Sequence, residues 1–537
     1  MNRYLCVIIA MVSVLLSCGQ QKKPIAEDEA LEAMKKATRF MMDEVSYNGG
    51  FVWNYLPDMS RRWGELEAYP TMMWIQPLGT PSMGHIILDA YHATNDEYYY
   101  ESAVKIAVAL IQGQLPCGGW NYMYDFAGED SLKKWYDTIG KNAWRLEEFQ
   151  HYYGNATFDD EGTIIAAKYL LRMYVEKKDP KFREPLDKAI NLVLESQYPN
   201  GGWPQRYPLM YDHSFKGKAD YTSFITLNDF AIQSNIEFLL ECSIALDIDT
   251  LKAPIEKAMN LLVELQQEGR YPGWADQYFV ETLKPAHGRS YEPLGINSTA
   301  TLEAIELLTR CYRLTGDKKY IAGIPKAIAF LESLAIPKEE AARYWRPLKK
   351  ETNILVPRYI DPETGKPLYV HRKGSNAANG TYFANQDITN TVVHAGTCVD
   401  IDINAVKKNF EYVANLPANE VISDSSFINP DAASLQKYYM VPDLSENLSE
   451  EEVTKLISEL TPEGYWLTTF RYYSNPYIGD APKSEPSNET KYASTRVGDE
   501  YDTSCFESET PIKGIATSSY IANMAKLISF IEGEKKR

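Results

Sequence analysis

Apolar residues recur at three- and four-residue spacing through most of the first two thirds of the chain. The stretches Asp28–Asp43, Glu101–Gln112, Thr163–Val175, Pro185–Ser196, Ile225–Leu246, Ala253–Gln267, Ser298–Leu314 and Ile324–Leu334 all show it. This is the period of helices with one face in a core. Alternating runs of β-branched residues are scarce there, so the pattern predicts an all-α body. Beyond about residue 340 the pattern changes. Val356 to Val370 holds extended stretches around Asp361-Pro362-Glu363-Thr364-Gly365, a turn signature. Helical spacing returns at Asn404–Ala414, Glu450–Leu460 and Ile515–Ile531. Residues 474–512, rich in Ser, Pro, Asp, Glu and Thr, read as a long loop.

A turn motif recurs where the helices end. It stands as Tyr47-Asn48-Gly49-Gly50-Phe51, as Gln114-Leu115-Pro116-Cys117-Gly118-Gly119-Trp120 and as Gln197-Tyr198-Pro199-Asn200-Gly201-Gly202-Trp203, with a degenerate copy from Gln267 to Trp274. The Gly-Gly pair ends a helix through dihedrals other residues avoid, and Pro prevents its continuation. The aromatic that follows is placed to plug neighbouring helices. Repeated helical pairs mean a solenoid or a closed ring. The Gln-x-x-x-Gly-x-Trp form resembles the motif of α/α toroids, which implies an all-α (α/α) toroid of helical hairpins with a smaller C-terminal region containing some strands.

Charge narrows the function. Lys+Arg is 55 against Asp+Glu 73, a formal net charge of -18, which excludes a general basic field for nucleic acid. The first 17 residues are set apart from the fold. Asn2-Arg3 precedes the short apolar run Cys6 to Leu16, which reads as a signal region rather than a membrane span. Its ending, Leu15-Leu16-Ser17-Cys18, resembles the lipobox of bacterial lipoproteins and implies lipidation of Cys18, with the outer membrane as the expected location. Residues 18–27 then form a tether, 28–345 the toroid and 346–537 a C-terminal region. Of the remaining cysteines, Cys117, Cys242, Cys311, Cys398 and Cys505 are widely spaced without C-x-x-C, so neither a disulfide framework nor a zinc site is expected.

Four segments carry candidate chemistry. Asp159-Asp160-Glu161 stands before a helical stretch and reads either as a cap on the helix dipole or as hard oxygen ligands for a cation such as calcium. Asn228-Asp229 allows the same two readings. The loop from Trp274 through Lys284, His287, Arg289 and Glu292 mixes charge and aromatics, as a polar ligand requires or as any surface loop permits. Arg358-Tyr359 and Tyr369-Val370-His371-Arg372 place arginines beside tyrosines, a pairing suited to clamping carboxylates.

Taken in order, these segments resemble the pectate lyases of polysaccharide lyase family 10. The most specific match runs Gln197-Tyr198-Pro199-Asn200-Gly201-Gly202-Trp203-Pro204-Gln205, then Tyr207-Pro208-Leu209 and Ile225-Thr226-Leu227-Asn228-Asp229. Thr157-Phe158-Asp159, Thr282-Leu283-Lys284-Pro285-Ala286, Arg289-Ser290-Tyr291-Glu292, Arg358-Tyr359 and Pro367 through Arg372 follow the family's order over roughly residues 110–375. Two departures stand out. Phe230 occupies the place of a second Asp, and Trp274-Ala275-Asp276-Gln277-Tyr278-Phe279 replaces a run ending in His-Asp.

The resemblance implies calcium-assisted β-elimination on polygalacturonate or another acidic pectic glycan. Arg289 is implied as the base, Asp159 and Asp229 as metal ligands, and Asn228, Lys284, Arg358 and Arg372 as substrate-binding residues. Two alternatives stay open. One is an α/α-barrel glycoside hydrolase using Asp159 and Asp229 as acid and base on a uronate-containing glycan. The other is a non-catalytic, lipid-anchored glycan binder, which Phe230 and the missing His-Asp favour. The anchor has its own test: Cys18→Ser should abolish labelling by a fatty-acid analogue, and labelling that persists would exclude the lipobox.

Overall fold

The computed structural model describes residues 25–140, 147–211, 219–267, 269–344, 348–373, 381–389, 391, 397–431, 435–441, 444, 448–471, 473–474, 506–507 and 511–536. Its helices, in order, are α1 (Ile25–Phe40), α2 (Thr80–Thr94), α3 (Glu97–Gln112), α4 (Glu129–Thr138), α5 (Gly162–Lys177), α6 (Arg183–Ser196), α7 (Ala231–Leu246), α8 (Lys252–Glu264), α9 (Ser298–Thr315), α10 (Ile324–Ser333), α11 (Lys338–Tyr344), α12 (Ile403–Ala414), α13 (Ala418–Val421), α14 (Glu450–Ser458) and α15 (Thr517–Lys536). Among them none is long and apolar enough to cross a membrane.

The helices pair as α2 with α3, α5 with α6, α7 with α8 and α9 with α10, and α2 packs on α5 and α5 on α7. These are the hairpins of an α/α toroid. The inner helices explain one departure from expectation. Helix α2 buries Met83, His85, Ile86, Ile87, Leu88, Asp89 and Ala90 in an almost unbroken run. With no solvated face it has no polar stripe, so periodicity does not reveal it. The pattern also starts α7 too early. Ile225–Thr226 is a short strand, and Asp229 and Phe230 take left-handed dihedrals (φ 54° and 60°) before the helix begins at Ala231.

The recurrent turns hold the ring together. Trp120, Trp203 and Trp274 are fully buried, and each indole N–H donates to a carbonyl of the outer helix before it: Leu110 at 2.8 Å, Val193 at 2.8 Å and Leu262 at 2.9 Å. A fourth copy, Trp466 to Leu456 at 3.0 Å, lies at the end of α14 and was not read from the sequence. The preceding glycine meets the next outer helix. A Cβ on Gly118 (φ +103°) would stand 2.2 Å from the Lys188 carbonyl oxygen, and one on Gly464 (φ +113°) 3.0 Å from that of Lys36 on α1. The last turn therefore rests on the first helix. Helix α15 packs on α1 and α2, and strands Thr468–Phe470 and Ile512–Ala516 extend the sheet that begins at Asn54–Tyr55. The C-terminal region thus packs directly against the N-terminal helices and sheet.

Short β-bridges join neighbouring hairpins in a fixed register. Trp74 N donates to the Phe51 carbonyl, Thr157 N to that of Trp120, and Thr226 N to that of Trp203. One residue further on, Ile75, Phe158 and Leu227 donate to the carbonyls of Tyr122, Gln205 and Asp276. This register makes Gln76, Asp159 and Asn228 equivalent positions, then Pro77, Asp160 and Asp229, then Leu78, Glu161 and Phe230. All lie on loops entering inner helices at one end of the toroid.

Two glycines with nearly the same φ separate contact from conformation. Gly118 has the Lys188 backbone against it, whereas Gly128 (φ +102°) has nothing within 4 Å. Gly128→Ala should cost about 1–3 kcal/mol from the positive-φ backbone alone. Gly118→Ala should cost at least about 3 kcal/mol, because overpacking adds to it. Equal losses in thermal unfolding would mean that the turn-to-helix contact is not tight.

Candidate active site

The loops before α5 and α7 are built alike and carry two consecutive left-handed residues each: Asp160 and Glu161 (φ 49° and 58°), and Asp229 and Phe230. Such dihedrals cost energy in residues other than glycine and cluster where function demands them. Asp159 is buried at the base of the first loop, while Asp229 keeps 31% of its side chain exposed on the second. The two meet at Arg289, which arrives on the segment following the hairpin Gln277–Tyr278 and Pro285–Ala286.

Arg289 is the centre of the cluster and is itself only 5% exposed. Its Nη2 donates to Asp159 Oδ2 at 2.7 Å, and its Nη1 to Glu292 Oε1 at 3.0 Å and Asp229 Oδ2 at 3.3 Å. Its Nε lies 3.2 Å from Glu148 Oε2, in ion-pair contact without hydrogen-bond alignment. The segment Glu147–Phe149 closes over it. Glu147 accepts from the Ser290 backbone N–H at 2.8 Å, and the Tyr291 hydroxyl donates to Glu148 at 3.1 Å.

Charge sets the protonation of this group. Burial alone would lower the Arg289 pKa, but Asp159, Glu292 and Glu148 outweigh it and hold the guanidinium well above its ordinary value. Burial would raise Asp159. Arg289, with hydrogen bonds from Asp229 and the Tyr122 hydroxyl, pulls it below the usual carboxylate range instead. Asp229 goes the other way: desolvation and the charge on Asp159 push it well up. Desolvation and Asp159 also push Asp160 up to about 7, and desolvation followed by Glu148 and Asp160 raises Glu65.

The oxygens around the acid pair suit a hard cation. Gln205 donates through Nε2 to Asp159 Oδ1 at 3.0 Å and leaves its buried Oε1 without a partner. Asn228 donates to Asp229 at 2.6 Å and likewise leaves a buried Oδ1 without one. Two carboxyls with two buried, unpartnered amide oxygens beside them are hard oxygen donors, which would suit a cation such as calcium better than a soft metal. Among the described residues no group of three or more His, Cys, Asp and Glu side chains is set to hold a metal by itself.

The other expected residues divide. The half-buried Arg358 stands between strands Ile354–Pro357 and Tyr359–Ile360, and Tyr359 pairs with Asn297 at the entrance to α9. Burial would lower its pKa, but Tyr359, Asp276, Glu292 and Asp229 together raise it, and its Nε has no hydrogen-bond partner. Lys284 is exposed on the hairpin, and no contact joins it to the cluster. Arg372 lies on strand Pro367–Lys373 opposite Tyr382, with its side chain outside the described residues. Cys18 and Cys505 also lie outside them; Cys242 and Cys311 are buried, as their helical pattern indicates. Sequence reasoning missed Glu148, Tyr122 and the role of Gln205. Gln205 stood inside the quoted motif, whereas nothing around Glu148 marked it.

Residues 130–298 match the family model for pectic acid lyase. The matched stretch holds Asp159, Asp229, Arg289 and Glu292, and stops before Arg358. The chain is also similar in structure to a family 10 polysaccharide lyase from Cellvibrio cellulosa, solved as a mutant in complex with trigalaturonic acid. Identity is 16% and the TM-score 0.40, over 63% of this chain and 99% of that one. A cellobiose 2-epimerase from Bacillus thermoamylovorans gives 13% and 0.40 over 94% and 98%, and an alpha-1,6-mannanase from Salegentibacter sp. gives 11% and 0.36 over 94% and 99%. No curated protein matches the chain. These structural likenesses are loose, and the functional reading rests on the matched segment and the geometry of the site.

The cluster predicts how stability varies with pH. Asp229, Asp160, Glu65 and Glu148 have folded-state pKa values above their ordinary ones. The Asp160 contribution is complete below about pH 4 and is lost as the pH rises through about 7, and the other three act in the same direction. The chelated protein should therefore melt at a lower temperature at pH 8 than at pH 6, and millimolar calcium should raise the pH 8 value. A melting temperature that rises from pH 6 to 8 in chelator would contradict the assigned protonation.

Proposed function

We propose that the protein is a pectate lyase that cleaves polygalacturonate by calcium-assisted β-elimination. The observation that carries the reading is the meeting of Asp159 and Asp229, from neighbouring equivalent loops, on the guanidinium of Arg289. The residues that would hold calcium are Asp159 and Asp229, with Gln205 Oε1 and Asn228 Oδ1 as further oxygens. The ion supplies positive charge to the substrate carboxylate, which makes the proton α to it more acidic. Arg358, cationic and without an ion pair among the described residues, would bind that carboxylate or its neighbour. Arg372 and Lys284 are assigned to more distant sugars.

In the elimination the C5–H electrons become the C4–C5 double bond, the C4–O4 bond breaks, and the leaving oxygen takes a proton from solvent. Arg289 is assigned the C5 proton. The acids around it make this demanding, since the neutral guanidine must first be reached. Each pKa unit above the working pH costs about 1.36 kcal/mol. Glu148 and Glu292 hold the side chain in one orientation, and the same acids make the neutral guanidine a strong proton acceptor once formed. A lipid on Cys18 would tether the enzyme to the membrane, bringing it to a polymer too large to diffuse inward.

The hydrolase alternative loses its acid–base pair. The carboxyls of Asp159 and Asp229 share a hydrogen bond, whereas glycosidase pairs stand about 5–9.5 Å apart.

Purified protein on polygalacturonate should generate ultraviolet absorbance from the unsaturated product, and excess chelator should remove it without unfolding the protein. Reducing ends without absorbance would mean hydrolysis. Arg289→Lys should lower kcat by at least ~100-fold with a modest change in KM. Arg358→Ala should weaken substrate binding by about one to two decades, the loss of a charge-assisted hydrogen bond. Near-normal kcat in Arg289→Lys would move the base elsewhere in the cleft.

A further inference from the structure

Phe230 is 43% exposed, one of the large apolar side chains that the described residues leave open to solvent. Its backbone is left-handed at φ 60°, a conformation that bulky L-residues pay to adopt and that Asn, Asp or Gly take more readily. Both features cost stability. The conformation is nevertheless held on both sides, by the bond from Arg289 to Asp229 and by Ser234 N–H donating to the Phe230 carbonyl at 2.8 Å.

The repeat shows where this position lies. Glu161, its equivalent before α5, interacts electrostatically with Lys168 on α5 and with Glu237 and Glu241 on α7. Those groups belong to the inner helices, so the equivalent position faces the middle of the ring. Leu78, the equivalent before α2, is also exposed, at 37%. Two of the three equivalent positions at the mouth of the ring thus carry exposed apolar side chains. Phe230 is joined directly to Asp229.

We infer that Phe230 is a stacking platform for a pyranose ring of the substrate, fixing the sugar next to the one whose carboxylate meets the acid pair. This rests on the lyase reading and adds a specificity-determining residue to it. The C–H-bearing face of a pyranose is weakly positive and apolar, and suits the negative face of a phenyl ring. A carboxylate at this position would instead recruit cation charge. The substitution therefore exchanges one oxygen near the acid pair for contact with the sugar skeleton, independent of the carboxylate's esterification.

Phe230→Asn and Phe230→Trp separate a platform from a packing residue. Phe230→Asn relieves the left-handed strain and should raise the melting temperature, while KM for polygalacturonate rises roughly 5–20-fold, the loss of one aromatic contact, and kcat falls less than about threefold. Phe230→Trp should retain low KM. Phe230→Asp should raise KM while lowering the calcium concentration for half-maximal activity. An unchanged KM in Phe230→Asn, or a drop in its melting temperature, would overturn the platform. The wild-type enzyme distinguishes the two readings: no turnover of polygalacturonate sinks the lyase assignment and the platform's ligand with it, whereas turnover indifferent to residue 230 sinks the platform alone.

Discussion

One buried guanidinium sits among four carboxylates, and the end of the toroid is organised around it. Asp159 comes from the loop before α5, Asp229 from the loop before α7, Glu148 from the covering segment, and Glu292 from Arg289's own stretch. Four acids brought together out of water repel one another, and each pays a desolvation cost that only a close opposite charge offsets. Arg289 offsets part of it and leaves an excess of negative charge. That excess pushes the Asp229 pKa well up, and it is also what a divalent cation would neutralise. Under the proposed calcium dependence, structural integrity and cation binding would share one source.

The ring delivers these groups by repetition. The turns at Gly118, Gly201 and Gly464 each plug a tryptophan under the outer helix before it and lay a glycine on the backbone of another helix. A large buried indole contributes on the order of 4–6 kcal/mol by area, an upper bound, so these plugs are a main anchor of the architecture. Because the register between hairpins is constant, equivalent positions on successive loops fall side by side. Asp159 is the first polar position of one loop and Asp229 the second position of the next, and this offset brings them onto one arginine. Helices with identical entrances can therefore carry a site that is not itself symmetric.

The same repetition accounts for the strain. Two left-handed residues in each of the loops before α5 and α7 turn the chain sharply from strand to helix, presenting side chains to the cleft from rigid elements. Where the fourth hairpin enters α9, Asn297 caps the helix directly, and no acid is presented. Tyr359 and Asn297 instead both bond Asp276, fixing the strand that carries Arg358.

Amphipathic period and turn chemistry were local properties, so most of the outer helices, the Gly-Trp turns and the toroid class were legible in the chain. Asp159, Asp229, Arg289 and Arg358 were legible because they sit in motifs of recognisable order. Helix α2 was not, since a segment buried on every side has no polar face to reveal its period. The copy at Gly464 to Trp466 was too diverged to read, and only its packing on α1 shows that the two ends of the chain close one ring. Glu148 carried no motif, and its importance arises from landing against Arg289, far away in the sequence. The state of each ionisable group was likewise beyond the sequence, because a pKa depends on burial and neighbouring charge. Both are fixed only when distant segments pack together.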